Sequence, residues 1–115
     1  MSNQTLDITV ESMARVELVT VSGRVDSNSA GELETAVNDI IGRKVYNIVL
    51  ELSGVEYMSS AGLRVLISAL RTCKGKRGNV CLVSVSERVD EVLDLAGIKS
   101  MFDLYDNTTT AVGSF

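Results

Sequence analysis

Two adjacent hydroxyls, Ser59 and Ser60, lie in the segment Val55-Glu56-Tyr57-Met58-Ser59-Ser60-Ala61-Gly62-Leu63. An apolar run, Ile48-Val49-Leu50-Glu51-Leu52, comes before it, and a run with helical periodicity, Leu63-Arg64-Val65-Leu66-Ile67-Ser68-Ala69-Leu70, comes after it. The first reads as a buried strand and the second as an amphipathic helix, so the serines fall where strand hands over to helix. In open α/β sheets this carboxyl edge is where ligands and partners are met. A hydroxyl there points its oxygen into the positive end of the helix macrodipole, among backbone N–H groups that lack intrahelical acceptors. Such a position accepts a phosphate well. The plainer role is an N-cap contributing about 1 kcal/mol. Nucleophilic catalysis is the weaker reading. Met58-Ser59-Ser60-Ala61-Gly62 departs from the Gly-x-Ser-x-Gly of a nucleophile elbow. The chain also has no histidine, and so lacks the commonest general base and the commonest metal ligand.

The whole chain must position these serines. Its 115 residues suffice for one hydrophobic core and not two, so residues 1–115 are expected to form a single domain. The apolar fraction of 45% with mixed charge is that of an ordinary globular protein. No apolar run approaches the roughly 20 residues that span a bilayer, and Met1 to Thr9 lacks the basic and apolar parts of a signal peptide. No membrane insertion and a cytoplasmic location are therefore expected, unless a partner places the protein elsewhere. Net charge −4 argues against nucleic acid as a partner. Lys74-Gly75-Lys76-Arg77-Gly78 reads as a solvated loop. Cys73, at the polar end of a helix pattern, and Cys81, inside a strand pattern, match no metal or redox spacing. Neither a metal nor another cofactor is expected.

Leu6, Ile8 and Val10 alternate with polar residues as in a half-buried strand. A second run, Val16 to Val21, ends at Ser22-Gly23 and lies close enough to pair with the first as an antiparallel hairpin. Ser29-Ala30-Gly31-Glu32 has the spacing of a capping box, with Ser29 as N-cap and Glu32 reaching back. Ala30, Leu33, Ala36, Val37, Ile40 and Ile41 then share one helical stripe that stops near Gly42. Asn47 to Leu52 reads as a central strand covered on both faces. The next helix runs from about Ser60 to Lys74, burying Leu63, Leu66, Ile67 and Leu70 and exposing Arg64, Ser68 and Arg71. Val80 to Val83 is another buried strand. Ser86 caps a third helix whose Val89, Val92, Leu93 and Ala96 share a face, with Gly97 at its C′ position. Met101 to Tyr105 is a last short strand. The tail, Asp106 to Phe115, can begin a helix at Asp106 but has little apolar content to dock it. The order is β-β-α-β-α-β-α-β(-α), the last helix being optional, an α/β fold whose sheet is mainly parallel after an N-terminal antiparallel strand.

This order resembles the STAS domain, and specifically the bacterial anti-sigma factor antagonists, from about Leu6 to Tyr105. Gly23-Arg24-Val25-Asp26 followed by Ala30 resembles the family's Gly-x-x-Asp motif leading into its first helix. Leu50-Glu51-Leu52-Ser53-Gly54-Val55 resembles its central strand and following turn. Met58-Ser59-Ser60-Ala61-Gly62-Leu63 resembles its Asp-Ser-Ser/Ala-Gly-Leu signature. Ser86 and Asp94-Leu95-Ala96-Gly97-Ile98 fit its third helix and that helix's end.

The resemblance implies a binding module and a substrate, not an enzyme. In the family the serine after the Asp position is phosphorylated. Aligned on Gly62-Leu63, that residue is Ser60, and Ser59 stands where the family often has aspartate. Ser59 is then the second candidate acceptor, or a helper. The unphosphorylated antagonist binds an anti-sigma factor that is also a serine kinase of histidine-kinase-like ATPase fold, and so releases the sigma factor. Phosphorylation ends the binding, and a metal-dependent serine phosphatase of the PP2C type resets it. The candidate partner surface comprises Asp26, Ser27, Asn28, Ser59, Ala61, Gly62 and Arg64, with a side chain at Gly62 expected to block close approach of a partner's active site. Plainer roles stand beside these: Asp26 as a turn or cap residue, Arg64 as a solvated cation, and Gly62 as relief of backbone crowding. The alternative function within the fold is an interaction module without phosphorylation, in stress sensing, secretion control or lipid transport. A receiver domain fits less well, because it needs an acceptor aspartate where this chain has serines.

Overall fold

The computed structural model describes residues 6–115; Met1 to Thr5, the start of the segment read above for a signal peptide, lie outside the described residues. Ten elements follow one another: β1 (Leu6–Met13), β2 (Val16–Val25), α1 (Ala30–Gly42), β3 (Asn47–Met58), α2 (Ser60–Gly75), β4 (Asn79–Val83), α3 (Glu87–Leu95), a 3₁₀ turn (Lys99–Met101), β5 (Asp103–Tyr105) and α4 (Thr108–Gly113). The strands form one sheet in the order β1-β2-β3-β4-β5. β1 runs antiparallel to β2, and every other pair is parallel. The hairpin and the parallel crossovers expected from the hydrophobic pattern are present.

Alternation along the strands sends side chains to two unequal cores. Val19, Val21, Ile48, Leu50, Leu52, Val80 and Leu82 face one way, against the apolar stripes of α1, α2 and α3. Val16, Val49 and Val83 face the other way and are covered by Ala111 of α4. Period-two strands with a cover on each face require this division. It also corrects the reading of the tail. Asn107 caps α4 by accepting the Thr110 N–H at 2.8 Å, and Ala111 is fully buried. Few apolar residues are needed, because the patch they cover is small.

Five further expectations give way to tertiary context. β3 does not turn at Ser53-Gly54 but continues to Met58. β2 likewise continues to Val25, through register shifts between Thr20 and Ser22 and between Gly23 and Arg24. Gly54 pairs with Ser22, and a Cβ on Gly54 would stand 2.5 Å from Ser22 Cβ. The glycine is there so that two strands can approach at a bulge. Ser29 precedes α1 but makes no side-chain cap; the capping box does not form. Cys73 is fully buried on the inner face of α2 rather than at a polar end. Ala96 is exposed, because α3 ends at Leu95 and the chain reverses through Gly97 at φ +74°.

Candidate functional site

The site is built by the ends of β2 and β3, which lie side by side: Val25 pairs with Met58. Ser59 follows Met58 in extended conformation (φ −87°, ψ 172°) and is the N-cap of α2. Its N–H donates to the Val25 carbonyl at 2.8 Å, and its own carbonyl accepts the Leu63 N–H at 2.9 Å. Its Oγ accepts the Gly62 N–H at 3.3 Å. Ser59 is thus held on three sides. Ser60, the first residue of α2, is exposed. The Ser60 and Ala61 N–H groups lie in the first turn, where no intrahelical acceptor exists. The two serines, of which the resemblance favours Ser60 as acceptor, are thus structurally distinct, Ser59 a cap and Ser60 a presented hydroxyl.

Beside them the β2–α1 loop is organised by Asp26. Its Oδ1 accepts from the Asn28 N–H at 2.9 Å and the Ser29 N–H at 3.0 Å, and lies 3.1 Å from Ser29 Oγ. Its carbonyl accepts from Ser29 and Ala30, which start α1. Ser29 Oγ turns back, donating to the Arg24 carbonyl at 2.6 Å and accepting the Asp26 N–H at 3.0 Å. That is why the capping box fails: the bulged end of β2 leaves a carbonyl close enough to take the Ser29 proton, and Asp26 assumes the capping work. Burial pushes the Asp26 carboxyl up, but the donors from Asn28 and Ser29 and the nearby Arg24 outweigh it and hold it below its ordinary value. Ser27 and Asn28 are exposed at the tip.

Not every expected residue faces outward. Gly62 is buried. A Cβ there would strike Met58 Sδ and stand 2.6 Å from Val25 Cγ1. The space that glycine preserves is thus beneath the helix, for its packing on β2 and β3, and not above it. Ala61 and Arg64 border a groove of about 690 Å³ between α1 and α2, opposite Ala30, Gly31 and Glu34, with Arg71 further along. Two neighbours were missed from sequence. The Arg24 guanidinium lies 4.6 Å from the centroid of the Tyr57 ring, a cation–π contact across the β2–β3 ends. Ser86, besides capping α3 through the Val89 N–H at 3.3 Å, donates to the Val55 carbonyl at 3.4 Å. No local pattern signalled the first, which follows from the cross-strand pairing of Arg24 with Tyr57. The second depended on a contact 31 residues away.

A mixed five-stranded sheet that presents a capped helix and a free hydroxyl at its carboxyl edge defines an α/β module of known kind. The family model of the STAS domain matches residues 7–111, and the chain belongs to that family. It is 28% identical over 108 residues to the anti-sigma F factor antagonist of Paenibacillus polymyxa, covering 93% of this chain and 92% of that protein. It superposes with a TM-score of 0.88 on the crystal structure of an anti-sigma factor antagonist from Mycobacterium paratuberculosis, at 26% identity over 98% of this chain and 96% of that one. The fold is shared as well with the antagonist SpoIIAA in its unphosphorylated form, with a TM-score of 0.81 at 17% identity over 92% and 93% of the two chains. SpoIIAA of Bacillus in its phosphorylated form gives 0.76 at 14% identity, over 94% and 98%. Among the described residues no helix is long and apolar enough to cross a membrane.

Proposed function

We propose that this chain is an anti-sigma factor antagonist and that Ser60 is its switch. Unphosphorylated, it binds an anti-sigma factor that is also a serine kinase of histidine-kinase-like ATPase fold, and the sigma factor is released. The kinase transfers the terminal phosphoryl group of ATP to Ser60 Oγ. A new O–P bond forms, ADP leaves, and the hydroxyl proton passes to a base of the kinase. A metal-dependent serine phosphatase reverses the modification. The chain itself is a substrate and a binding module.

The observation that carries this reading is the division of labour between the serines. Because Ser59 satisfies the Gly62 N–H, the Ser60 hydroxyl has no structural duty and stands exposed at the helix N-terminus. A phosphate there adds about −1.5 to −2 charges, which the macrodipole and the first-turn N–H groups accommodate. The fold should survive while the interface fails, because the new charge must be desolvated against the partner. A loss of about 3 kcal/mol in binding shifts affinity by roughly two decades, enough for a switch. The names of the relatives support the same role, and the existence of SpoIIAA in both forms fits it.

The test is intact mass and site mapping after incubation with ATP and the kinase-like anti-sigma factor encoded by the same genome, with Ser60→Ala and Ser59→Ala alongside. One phosphate on Ser60, lost in Ser60→Ala and retained in Ser59→Ala, together with weaker binding of the modified form, is expected. An active kinase that leaves both serines unmodified in the folded protein would overturn the switch and leave a constitutive STAS interaction module.

A further inference from the structure

Arg64 lies four residues beyond Ser60 on α2, and both are exposed. Residues four apart share a helix face. Helical side chains lean toward the N-terminus, so the guanidinium of Arg64 has the reach to swing back over the first turn, where Ser60 sits. Arg64 is nonetheless uncommitted. The ion pairs among the described residues join Arg43 to Glu17 and Asp39, and Lys99 to Asp90. Arg64 instead borders the α1–α2 groove, across which Glu34 lies beyond ion-pairing distance. An unpaired arginine one turn from a hydroxyl that takes a dianion is well placed to hold it, because the planar guanidinium fork matches two phosphate oxygens.

We propose that Arg64 clamps the phosphate of phosphorylated Ser60, and in doing so turns from the edge of the α1–α2 groove toward the N-terminus of α2. The proposal rests on the reading of Ser60 as the modified residue and deepens it: the modification both adds charge and removes a cation from the adjoining surface. Ser60 then acts on the groove without touching it. Charged residues on the neighbouring elements include Arg24 in β2 with Asp26 just after it, Glu56 in β3 and Glu34 on α1. Asp26 already spends Oδ1 on its own loop and makes no ion pair with Arg64.

The experiment uses the full chain with phosphoserine installed at position 60 by genetic encoding, so that no kinase is required. The phosphate is titrated by phosphorus NMR in the wild type, Arg64→Gln, Arg64→Lys and Arg71→Gln, the last being a groove cation two turns further along. Free phosphoserine ionises a second time near pH 6. In the wild type this step is expected to lie lower, and Arg64→Gln to raise it by about half a pH unit. Arg64→Lys should recover part of the difference and Arg71→Gln none. The Arg64 Nε–H resonance should follow the same titration, and about 1 M salt should compress the difference between variants. Unphosphorylated wild type and Arg64→Gln should melt together, with phosphorylated Arg64→Gln melting below phosphorylated wild type. Coincident phosphate titrations in wild type and Arg64→Gln, or an Nε resonance indifferent to the phosphate, would overturn the clamp. Such a result leaves the switch standing, whereas a kinase that never modifies Ser60 removes the switch and leaves the clamp geometry intact.

Discussion

Ser59→Ala and Ser60→Ala should have unequal consequences for stability, although the residues are neighbours of the same type. In Ser59→Ala the backbone keeps its bonds to the Val25 carbonyl and the Leu63 N–H. Only the cap to the Gly62 N–H is lost. That bond is 3.3 Å long, beyond the usual range for N–H···O, so the loss belongs in the lower half of measured capping effects, about 0.5–1 kcal/mol. For 115 residues the unfolding entropy is about 0.24 kcal/mol per kelvin, so the melting temperature should fall by about 2–4 °C. Ser60 makes no side-chain hydrogen bond and begins a helix, where alanine is the better helix former. Ser60→Ala should therefore change stability by less than about 0.5 kcal/mol. Thermal and urea unfolding followed by circular dichroism at neutral pH would measure both. A Ser60→Ala variant that loses as much as Ser59→Ala would refute the assignment of cap and presented hydroxyl.

Gly62→Ala should destabilise by about 1–3 kcal/mol, since its methyl group must displace Met58 or Val25; unchanged unfolding with impaired partner binding would instead put Gly62 at the interface. Asp26 should stabilise the fold above its unfolded-state pKa, near 3.8, and lose that contribution as pH falls through its lower folded value. Acid titrations of wild type and Asp26→Asn should thus converge at low pH, and parallel curves down to pH 2 would exclude Asp26 as the loop's acid-sensitive group. The Cys73 thiol, pushed up to about 11 by burial, should resist iodoacetamide at pH 8 until the chain unfolds, as scored by mass spectrometry. Prompt labelling of the native protein would show that α2 opens.

What could be read from the residues was mainly what local periodicity encodes. The strand alternation of Leu6 to Val10, the helical stripe from Ala30 to Ile41 and the apolar run at Asn47 to Leu52 correspond to β1, α1 and the first half of β3. The Ser59-Ser60 junction was legible for the same reason: a change of period marks a change of element. The rest depended on residues distant in sequence. Ser53-Gly54 reads as a turn until β2 is laid beside it and Ser22 takes up the space that the glycine leaves. Ser29 has the spacing of a cap, but the Arg24 carbonyl offers its hydroxyl a different acceptor. Ala111 is one small residue in a polar tail, and its burial follows only from the patch left by Val16, Val49 and Val83. Gly62 could be read as glycine by necessity, but whether the need lay above or below the helix required Met58 and Val25 in place.

Ser59 stands where the resemblance leads one to expect aspartate, and the capping position it occupies is one that either residue can fill. Aspartate and serine are both strong N-caps, and the residue in this position accepts the Gly62 N–H; the structural duty survives the change of side chain. The electrostatic situation does not. An aspartate would place a carboxylate next to Ser60, and a phosphate formed there would have to overcome that like charge as well as Asp26. With Ser59, Asp26 is the acidic side chain left in the paired β2 and β3 ends beyond Val25 and Met58, and its Oδ1 is bound up by Asn28 and Ser29. Introducing Ser59→Asp should therefore leave the cap and the melting temperature close to wild type while raising the second ionisation of a phosphate on Ser60. If Ser59→Asp lowered the melting temperature by more than about 4 °C, the equivalent of about 1 kcal/mol, the cap would need a hydroxyl specifically. The exchange would then have a structural origin and not an electrostatic one.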